Sequence, residues 1–154
     1  MIYVSREINV NEDRTRHDPR LDRGEVWQGL VLKAKNALPY VPGVARCEVI
    51  EQSDAGLVRE IEFRGQQVQE RVTFHAPERV TFLRLSGRVD GLIVEEVIGT
   101  DDDPVLRISI ALQSADVASD SIAEHEFCAS MERDYSKAVA ATVAAMRKMA
   151  ATRR

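Results

Sequence analysis

The order of strand, helix and turn signals along the chain is the feature that most constrains its fold. Ile2 to Val10 alternates as a strand does, and a short helical stretch follows it. Pro39 and Pro42 then stop any continuous helix. Six strand-like segments separated by turn residues come next, and one long uninterrupted helical segment closes the chain. This order predicts a curved antiparallel sheet wrapped around a C-terminal helix, an arrangement that encloses a cavity suited to an apolar ligand.

The fold class expected from these signals is α+β, with about seven strands and two short helices after strand 1. Turns recur about every 8 to 12 residues, which favours antiparallel meander connections over βαβ crossovers. The final helix is expected from about Ser121 to Arg147, and such a helix of about 27 residues spans roughly 40 Å. Asp22 and Glu25 have capping-box spacing before the first helix, and Ser121 and Glu124 have it before the last. The middle strands are expected at 47–52, 57–63, 66–75, 79–85, 92–98 and 105–113.

Composition places the chain among soluble globular proteins and argues against several classes of function. Its 154 residues are enough for one domain, residues 1–154, with a sizeable core. The net charge of −4 and the lack of a basic block argue against nucleic-acid binding. No apolar run approaches the roughly 20 residues of a membrane span, and the N-terminus has no signal-peptide pattern. We therefore expect a cytoplasmic protein.

Motifs for metals, nucleotides and hydrolytic catalysis are missing from the sequence. His17, His75 and His125 have no ligand spacing, so no metal site is expected. GxGxxG, Walker and GxSxG patterns are absent, and no cofactor is predicted. Cys47 and Cys128 are far apart and are interpreted as two buried thiols. No catalytic residue follows from motifs alone.

A hairpin between residues 57 and 75 permits a prediction of register. If Arg64-Gly65 is a two-residue turn, Arg59 lies opposite Glu70. Such a pair on the inward face has two interpretations. It is a polar anchor that orients a ligand carboxylate or carbonyl, or it is a structural ion pair near the rim of the sheet. The structural interpretation is favoured because most ion pairs are structural. The inward face of the hairpin would carry Leu57, Arg59, Ile61, Phe63, Gln66, Val68, Glu70, Val72 and Phe74.

The candidate pocket residues are the apolar and aromatic side chains of the inward faces together with the Arg59–Glu70 pair. Any one of the aromatic residues is better explained as ordinary core than as pocket lining. If the pocket exists and Arg59 is its polar contact, Arg59→Met should weaken an anionic apolar ligand more than its neutral analogue. The predicted set is Leu30, Arg59, Ile61, Glu70, Phe74, Phe82, Met131 and Tyr135.

Three sequence blocks carry a resemblance to a known superfamily. They are Glu25 to Ala34, which reads EVWQGLVLKA, then Tyr40 to Val44, which reads YVPGV, and the C-terminal pattern Asp134-Tyr135, Ala138-Val139, Thr142 and Met146-Arg147. With the order of elements, they resemble the AtaL-like branch of the START-like, or SRPBCC, superfamily, which includes the birch-pollen allergen and polyketide cyclases. The resemblance covers nearly the whole chain. It implies a helix-grip fold with an elongated cavity for lipids, polyketides or aromatic compounds, and it carries over no catalytic residue.

Three functions are therefore considered. The first is non-catalytic binding of a small hydrophobic or aromatic molecule. The second is a polyketide-cyclase-like or dehydratase-like enzyme that uses Arg59, Glu70 or Glu95 as acid or base. The third is an interaction protein, a homodimer with a collapsed cavity. Isolated polar groups with shifted pKa values in the cavity would favour the enzyme, a wall of carbon atoms would favour the binding protein, and a filled cavity beside a broad apolar surface would favour the dimer.

Overall fold

A computed structural model describes residues 1–12, 19–87, 89–114, 117–118 and 121–153. The order of elements agrees with the one predicted from the sequence. The elements are β1 (Ile2–Asn9), α1 (Arg23–Lys35), β2 (Val44–Gln52), β3 (Gly56–Phe63), β4 (Gln66–His75), β5 (Arg79–Arg84), β6 (Val89–Gly99), β7 (Pro104–Ser114) and α2 (Ile122–Arg153).

The strands form one antiparallel sheet of seven strands in the order β1-β7-β6-β5-β4-β3-β2. Strands β2 to β7 pair with their neighbours along the chain, and β1 pairs with β7. Helix α2 packs across the concave face, where Val139, Val143 and Met146 join one core cluster with Val26 and Leu30 of α1. The protein is thus an α+β helix-grip fold, as predicted.

Between residues 19 and 43 the structure has one α-helix, α1, where two short helices were expected. The segment after α1 forms turns, in which the carbonyl of Ala37 accepts hydrogen bonds from the amides of Tyr40 (3.0 Å) and Val41 (2.9 Å). Pro39 and Pro42 lack the N–H donors that a second helix needs. The chain therefore turns from α1 directly into β2.

Both predicted helix starts have side-chain caps. At α1 the Asp22 carboxylate accepts the Glu25 amide at 2.8 Å, and Glu25 Oε1 accepts the Asp22 amide at 3.2 Å, which completes the capping box. At α2 the Ser121 hydroxyl accepts the Glu124 amide at 3.0 Å. The Glu124 carboxylate pairs with the N-terminal ammonium of Met1 at 2.9 Å, so this contact joins the start of β1 to the start of α2.

The register of the β3–β4 hairpin agrees with the prediction. Arg64 and Gly65 both have positive φ angles, 52° and 80°, as a type I′ turn requires. Arg59 lies opposite Glu70 in this register. Because side chains alternate along a strand, both residues belong to the face that looks at α2.

Two clusters of buried apolar side chains flank an open space beneath α2. One cluster surrounds α1 and the middle of α2, and the other lies under the first turns of α2 and includes Ile2 and Ile110. Ile93 and Tyr135 pack against both clusters. The region where the clusters meet is the cavity.

Candidate functional site: a cavity with a charged inner wall

A cavity of about 210 Å³ lies between α2 and the inward faces of strands β3 to β7. It is small beside the roughly 300–1,000 Å³ of sites for drug-sized molecules, so its size suits a compound of one or two rings. It is not collapsed, in contrast to what the interaction-protein hypothesis expected. Its apolar wall includes Val41, Val44, Ile61, Phe63, Phe82, Ile93, Ile108, Ile110, Met131 and Val139.

The charged groups of the cavity come from the same inward rows as the apolar ones. Arg59 precedes Ile61 on β3, and Arg84 follows Phe82 on β5, each two positions away and therefore on the same face. Glu70 and Arg84 are register partners on β4 and β5. The alternation of the strands thus gathers several charges at one end of the cavity.

Arg59 is engaged almost completely by the protein itself. Its Nε and Nη2 donate to Glu70 Oε1 at 3.1 and 2.9 Å, and its Nη1 donates to the carbonyls of Lys33 and Ala34 at 3.1 and 3.0 Å. The guanidinium carbon lies 4.9 Å from the centre of the Phe82 ring. A cation is also favourable at the last carbonyls of a helix. This geometry supports the structural interpretation of the pair, and direct contact of Arg59 with a ligand stays a prediction.

A second buried ion pair joins Lys33 of α1 to Glu95 of β6. The Lys33 ammonium lies 5.7 Å from the centre of the Phe82 ring, on which Arg59 also packs. The other Glu95 oxygen, Oε2, is buried and has no hydrogen-bond partner within the described ranges. An unsatisfied buried carboxylate oxygen is uncommon and costly, which makes Glu95 the most notable acceptor at the edge of the cavity.

Lys33 was not among the predicted site residues. Its position on α1 carries a signal, since it lies three residues after Leu30 and seven after Val26, on the apolar face. A lysine on the buried face of a helix needs an anionic partner. Glu95, whose neighbours on the inward face of β6 are Ile93 and Val97, supplies that partner.

Arg84 is the cation of the inner wall that the protein leaves available. It borders the cavity. Among the residues that the structure describes, it forms no hydrogen bond or ion pair, whereas Arg59 and Lys33 both do. A ligand oxygen can therefore bind the Arg84 guanidinium without displacing a carboxylate of the protein.

Tyr135 of α2 supplies a neutral donor next to these charges. Burial raises the pKa of its phenol, the negative charges of Glu95 and Glu70 raise it further, and the cation of Arg84 opposes them. The hydroxyl therefore stays protonated at and well above neutral pH. It can donate a hydrogen bond to a carbonyl or enolate oxygen.

The entrance of the cavity is bridged by an exposed ion pair between the hairpin turn and α2. Arg64 Nη1 lies 2.9 Å from Asp134 Oδ2, and its guanidinium packs 5.0 Å from the centre of the Phe63 ring. The hydrogen bond from Arg64 is the main reason that the pKa of Asp134 is lowered. Lys137 also borders the cavity, on the exposed side of α2.

Six of the eight predicted pocket residues border the cavity: Arg59, Ile61, Glu70, Phe82, Met131 and Tyr135. Leu30 and Phe74 lie elsewhere. Leu30 is buried in the core cluster that joins α1 to α2, and Phe74 packs edge-on against Trp27 of α1 with ring centres 6.4 Å apart. Leu30 is itself part of α1 and is buried in this core, and Trp27 of α1 packs against Phe74, so the helix takes the space that a ligand would need at both positions.

The described part of the chain contains no metal-binding cluster, disulfide or membrane-spanning helix. Within residues 1–12, 19–87, 89–114, 117–118 and 121–153, no group of three or more His, Cys, Asp or Glu side chains is placed to hold a metal ion. Cys47 and Cys128 are free thiols. No helix in these ranges is both long enough and apolar enough to cross a membrane.

Residues 5–153 match the model of the family described as AtaL, acetylaranotin biosynthesis cluster protein L. The chain belongs to the AtaL family. This confirms the resemblance seen in the sequence. No curated protein matches the chain.

Solved structures with the same fold include two aromatase/cyclases. The di-domain aromatase/cyclase StfQ of the steffimycin pathway has a TM-score of 0.74 at 10% identity, over 99% of this chain and 52% of that protein. This chain therefore spans about half of StfQ. The Zhui aromatase/cyclase from a Streptomyces species has a TM-score of 0.68 at 14% identity, over 98% of this chain and 94% of that one.

The START superfamily is represented by a protein from Mycobacterium smegmatis. Its TM-score is 0.59 at 10% identity, and the match covers 89% of this chain and 93% of that one. At such identities the likeness concerns the fold alone. AtaL-family membership and these neighbours together assign the chain to the START-like, SRPBCC fold.

Proposed function

We propose that the AtaL-family protein binds a small aromatic or otherwise hydrophobic molecule in the cavity beneath α2. The observation that carries this proposal is an unfilled space of about 210 Å³ with a mostly apolar wall and charged groups at its inner end. Burial of hydrocarbon there would supply affinity at roughly 25 cal/mol per Å², before the costs of association. A few polar groups in an apolar cavity typically set orientation.

The ligand would carry an oxygen that meets the inner wall. Arg84 offers a guanidinium without a protein partner in the described ranges, and Tyr135 offers a neutral hydroxyl. Both are donors, so a carbonyl, enolate or carboxylate oxygen suits them. The names of Zhui and StfQ as aromatase/cyclases are consistent with an aromatic or polyketide-like ligand.

Arg84→Met tests both the cavity and its polar contact. The probes are 2-naphthoate and its neutral analogue 2-methylnaphthalene, titrated into ¹⁵N-labelled protein by NMR. We expect Arg84→Met to weaken 2-naphthoate about tenfold or more, because a charge-assisted hydrogen bond contributes about 1.5–3 kcal/mol. The neutral analogue should change less than about twofold.

Arg71→Met is the matched control. Arg71 is an exposed arginine on β4, and it lies beside Leu83 of β5 on the outer face of the sheet. Its replacement should leave both affinities unchanged. Equal losses for the two probes in Arg84→Met would exclude Arg84 as the contact, and no binding of either probe to the wild-type protein would contradict the proposed function.

A second candidate function is acid–base catalysis on the bound ligand, and the partnerless Oε2 of Glu95 favours it. In such a reaction the Glu95 carboxylate removes a proton from the carbon next to a ligand carbonyl. The Tyr135 hydroxyl donates a hydrogen bond to the enolate oxygen that forms, and a proton then returns to the same carbon or to another position. This is the enolisation step on which a cyclase or dehydratase depends.

The enzyme hypothesis predicts faster exchange of ligand protons with solvent. 2-Tetralone, a two-ring ketone, loses its α-protons to D₂O slowly on its own. We expect the wild-type protein to accelerate this exchange on the order of 100-fold, within the usual range for a general base, and Glu95→Gln to abolish the effect while 2-tetralone still binds. Equal exchange rates with the two proteins would remove Glu95 as a base and leave binding as the function.

A further inference from the structure

The outer face of the sheet, opposite α2, carries an exposed apolar row that runs across four strands. Leu83 of β5 lies opposite Leu92 of β6, Leu92 opposite Ala111 of β7, and Ala111 opposite Tyr3 of β1. Leu83, Leu92 and Tyr3 are 47%, 41% and 67% exposed. Single exposed apolar residues are ordinary, but a contiguous row of them marks an interaction surface.

A second row on the same face, four positions further along each strand, carries only charges. Arg79 lies opposite Glu96, Glu96 opposite Arg107, and Arg107 opposite Glu7. The signs alternate, and Arg107 lies 2.9 Å from Glu7 and 3.9 Å from Glu96. Between the apolar and charged rows lies a row of small or medium uncharged side chains: Thr81, Val94, Ser109 and Ser5.

The charged row is complementary to itself when its order is reversed, because each position then lies opposite a residue of the other sign. A two-fold axis between β6 and β7, parallel to the strands, places a second copy face to face with each row on its counterpart in reverse order. Arg79 then faces Glu7 of the other copy, and Glu96 faces Arg107. The apolar row meets itself in the same way, with Leu92 over Ala111.

We propose that a second copy of this chain covers the outer face of the β5-β6-β7-β1 half of the sheet, in an isologous homodimer. Apolar burial supplies the attraction, and the charged row sets the alignment, since a shifted copy would place like charges together. The small side chains of the middle row let the two sheets approach to the usual distance of about 10 Å. The cavity lies on the other face of the sheet, so dimerisation leaves it accessible and this proposal is independent of ligand binding.

The first test is the oligomeric state in solution, measured by sedimentation equilibrium. We expect the wild-type chain to dimerise at micromolar concentrations and Leu92→Asp to weaken self-association about 100-fold or more, because two carboxylates would be buried against apolar groups. Leu38→Asp is the matched control. Leu38 is 47% exposed and lies in the turn after α1, away from the sheet face, so its replacement should leave the dimer intact.

The second test uses the reversed charges and does not depend on loss of structure. Arg79→Glu alone places two carboxylates together at each of two symmetry-related contacts with Glu7, and Glu7→Arg alone places two guanidinium groups together there. Each variant should therefore be monomeric at concentrations where the wild type is a dimer. In a heterodimer of the two variants, both contacts pair opposite charges. The new carboxylate at position 79 of one chain meets the new arginine at position 7 of the other, and the native Arg79 of the second chain meets the native Glu7 of the first. We expect an equimolar mixture of the two variants to form this heterodimer.

The two tests distinguish results that support the homodimer from results that contradict it. A heterodimer from two monomeric variants, with circular dichroism spectra like the wild type, would establish the face and its alignment. A wild-type chain that is monomeric at about 100 µM would overturn the proposal and leave the apolar row to a different partner. Dimers that persist in Leu92→Asp, or a mixture that stays monomeric, would also overturn it.

Discussion

Arg59→Met is expected to lower the free energy of unfolding by about 3–5 kcal/mol, because it leaves the Glu70 carboxylate buried without a counter-ion. Arg59 and Glu70 are both buried, and Glu70 Oε1 accepts two hydrogen bonds from the guanidinium. The carbonyls of Lys33 and Ala34 at the end of α1 would lose their donor as well. Urea unfolding followed by circular dichroism measures the change.

The double variant Arg59→Met/Glu70→Met is the control for this prediction. It removes the unpaired charge, and apolar replacement of a buried ion pair is often close to neutral. We expect it to recover at least half of the lost stability, with a remaining deficit of about 1–3 kcal/mol for the carbonyls of α1. A double variant as unstable as Arg59→Met would show that the helix cap, rather than the ion pair, dominates. This loss of stability also makes Arg84→Met a cleaner test of ligand binding than Arg59→Met.

Ala138→Trp is expected to abolish binding of two-ring ligands, with a loss of about 100-fold or more in affinity. Ala138 borders the cavity from α2, and an indole at this position would occupy space that a ligand needs. Complete burial of an aromatic side chain contributes about 1.5–3 kcal/mol, so the variant should keep or gain stability if the indole fills the cavity. NMR titration with 2-naphthoate and thermal unfolding measure the two effects.

Ala140→Trp is the control on the same helix. Ala140 lies two residues later in α2 and is exposed, so its indole would point into solvent and leave the affinity unchanged. Equal affinities for 2-naphthoate in the wild type and Ala138→Trp would place the ligand outside this cavity. Loss of binding in both tryptophan variants would indicate a general effect on α2 rather than blockage of the cavity.

The order of the elements, the class of fold and one complete hairpin could be predicted from the sequence alone. Those features depend on local rules. The Arg64-Gly65 turn needs positive φ at both positions. Counting outward from that turn gives the register, in which Arg59 pairs with Glu70 and Leu57 with Val72. The helix starts at Asp22 and Ser121 follow from hydrogen bonds made within three residues. The division of the hairpin into an inward and an outward face followed from the same local signals.

Which inward residues reach the cavity, and which charged groups lack a protein partner, depends on how the helices pack against the sheet. Phe74 has the same inward pattern as Ile61 and Phe82, but Trp27 of α1 packs against it, and Leu30 of α1 is buried in the core between the two helices. The Lys33–Glu95 pair joins residues 62 positions apart, and no local period relates them. Arg59 and Arg84 are indistinguishable as inward arginines in the sequence. Arg59 donates hydrogen bonds to Glu70 and to the last carbonyls of α1, whereas Arg84 has no such partner in the described ranges. The difference arises because the way α1 docks on the sheet brings its last carbonyls to Arg59.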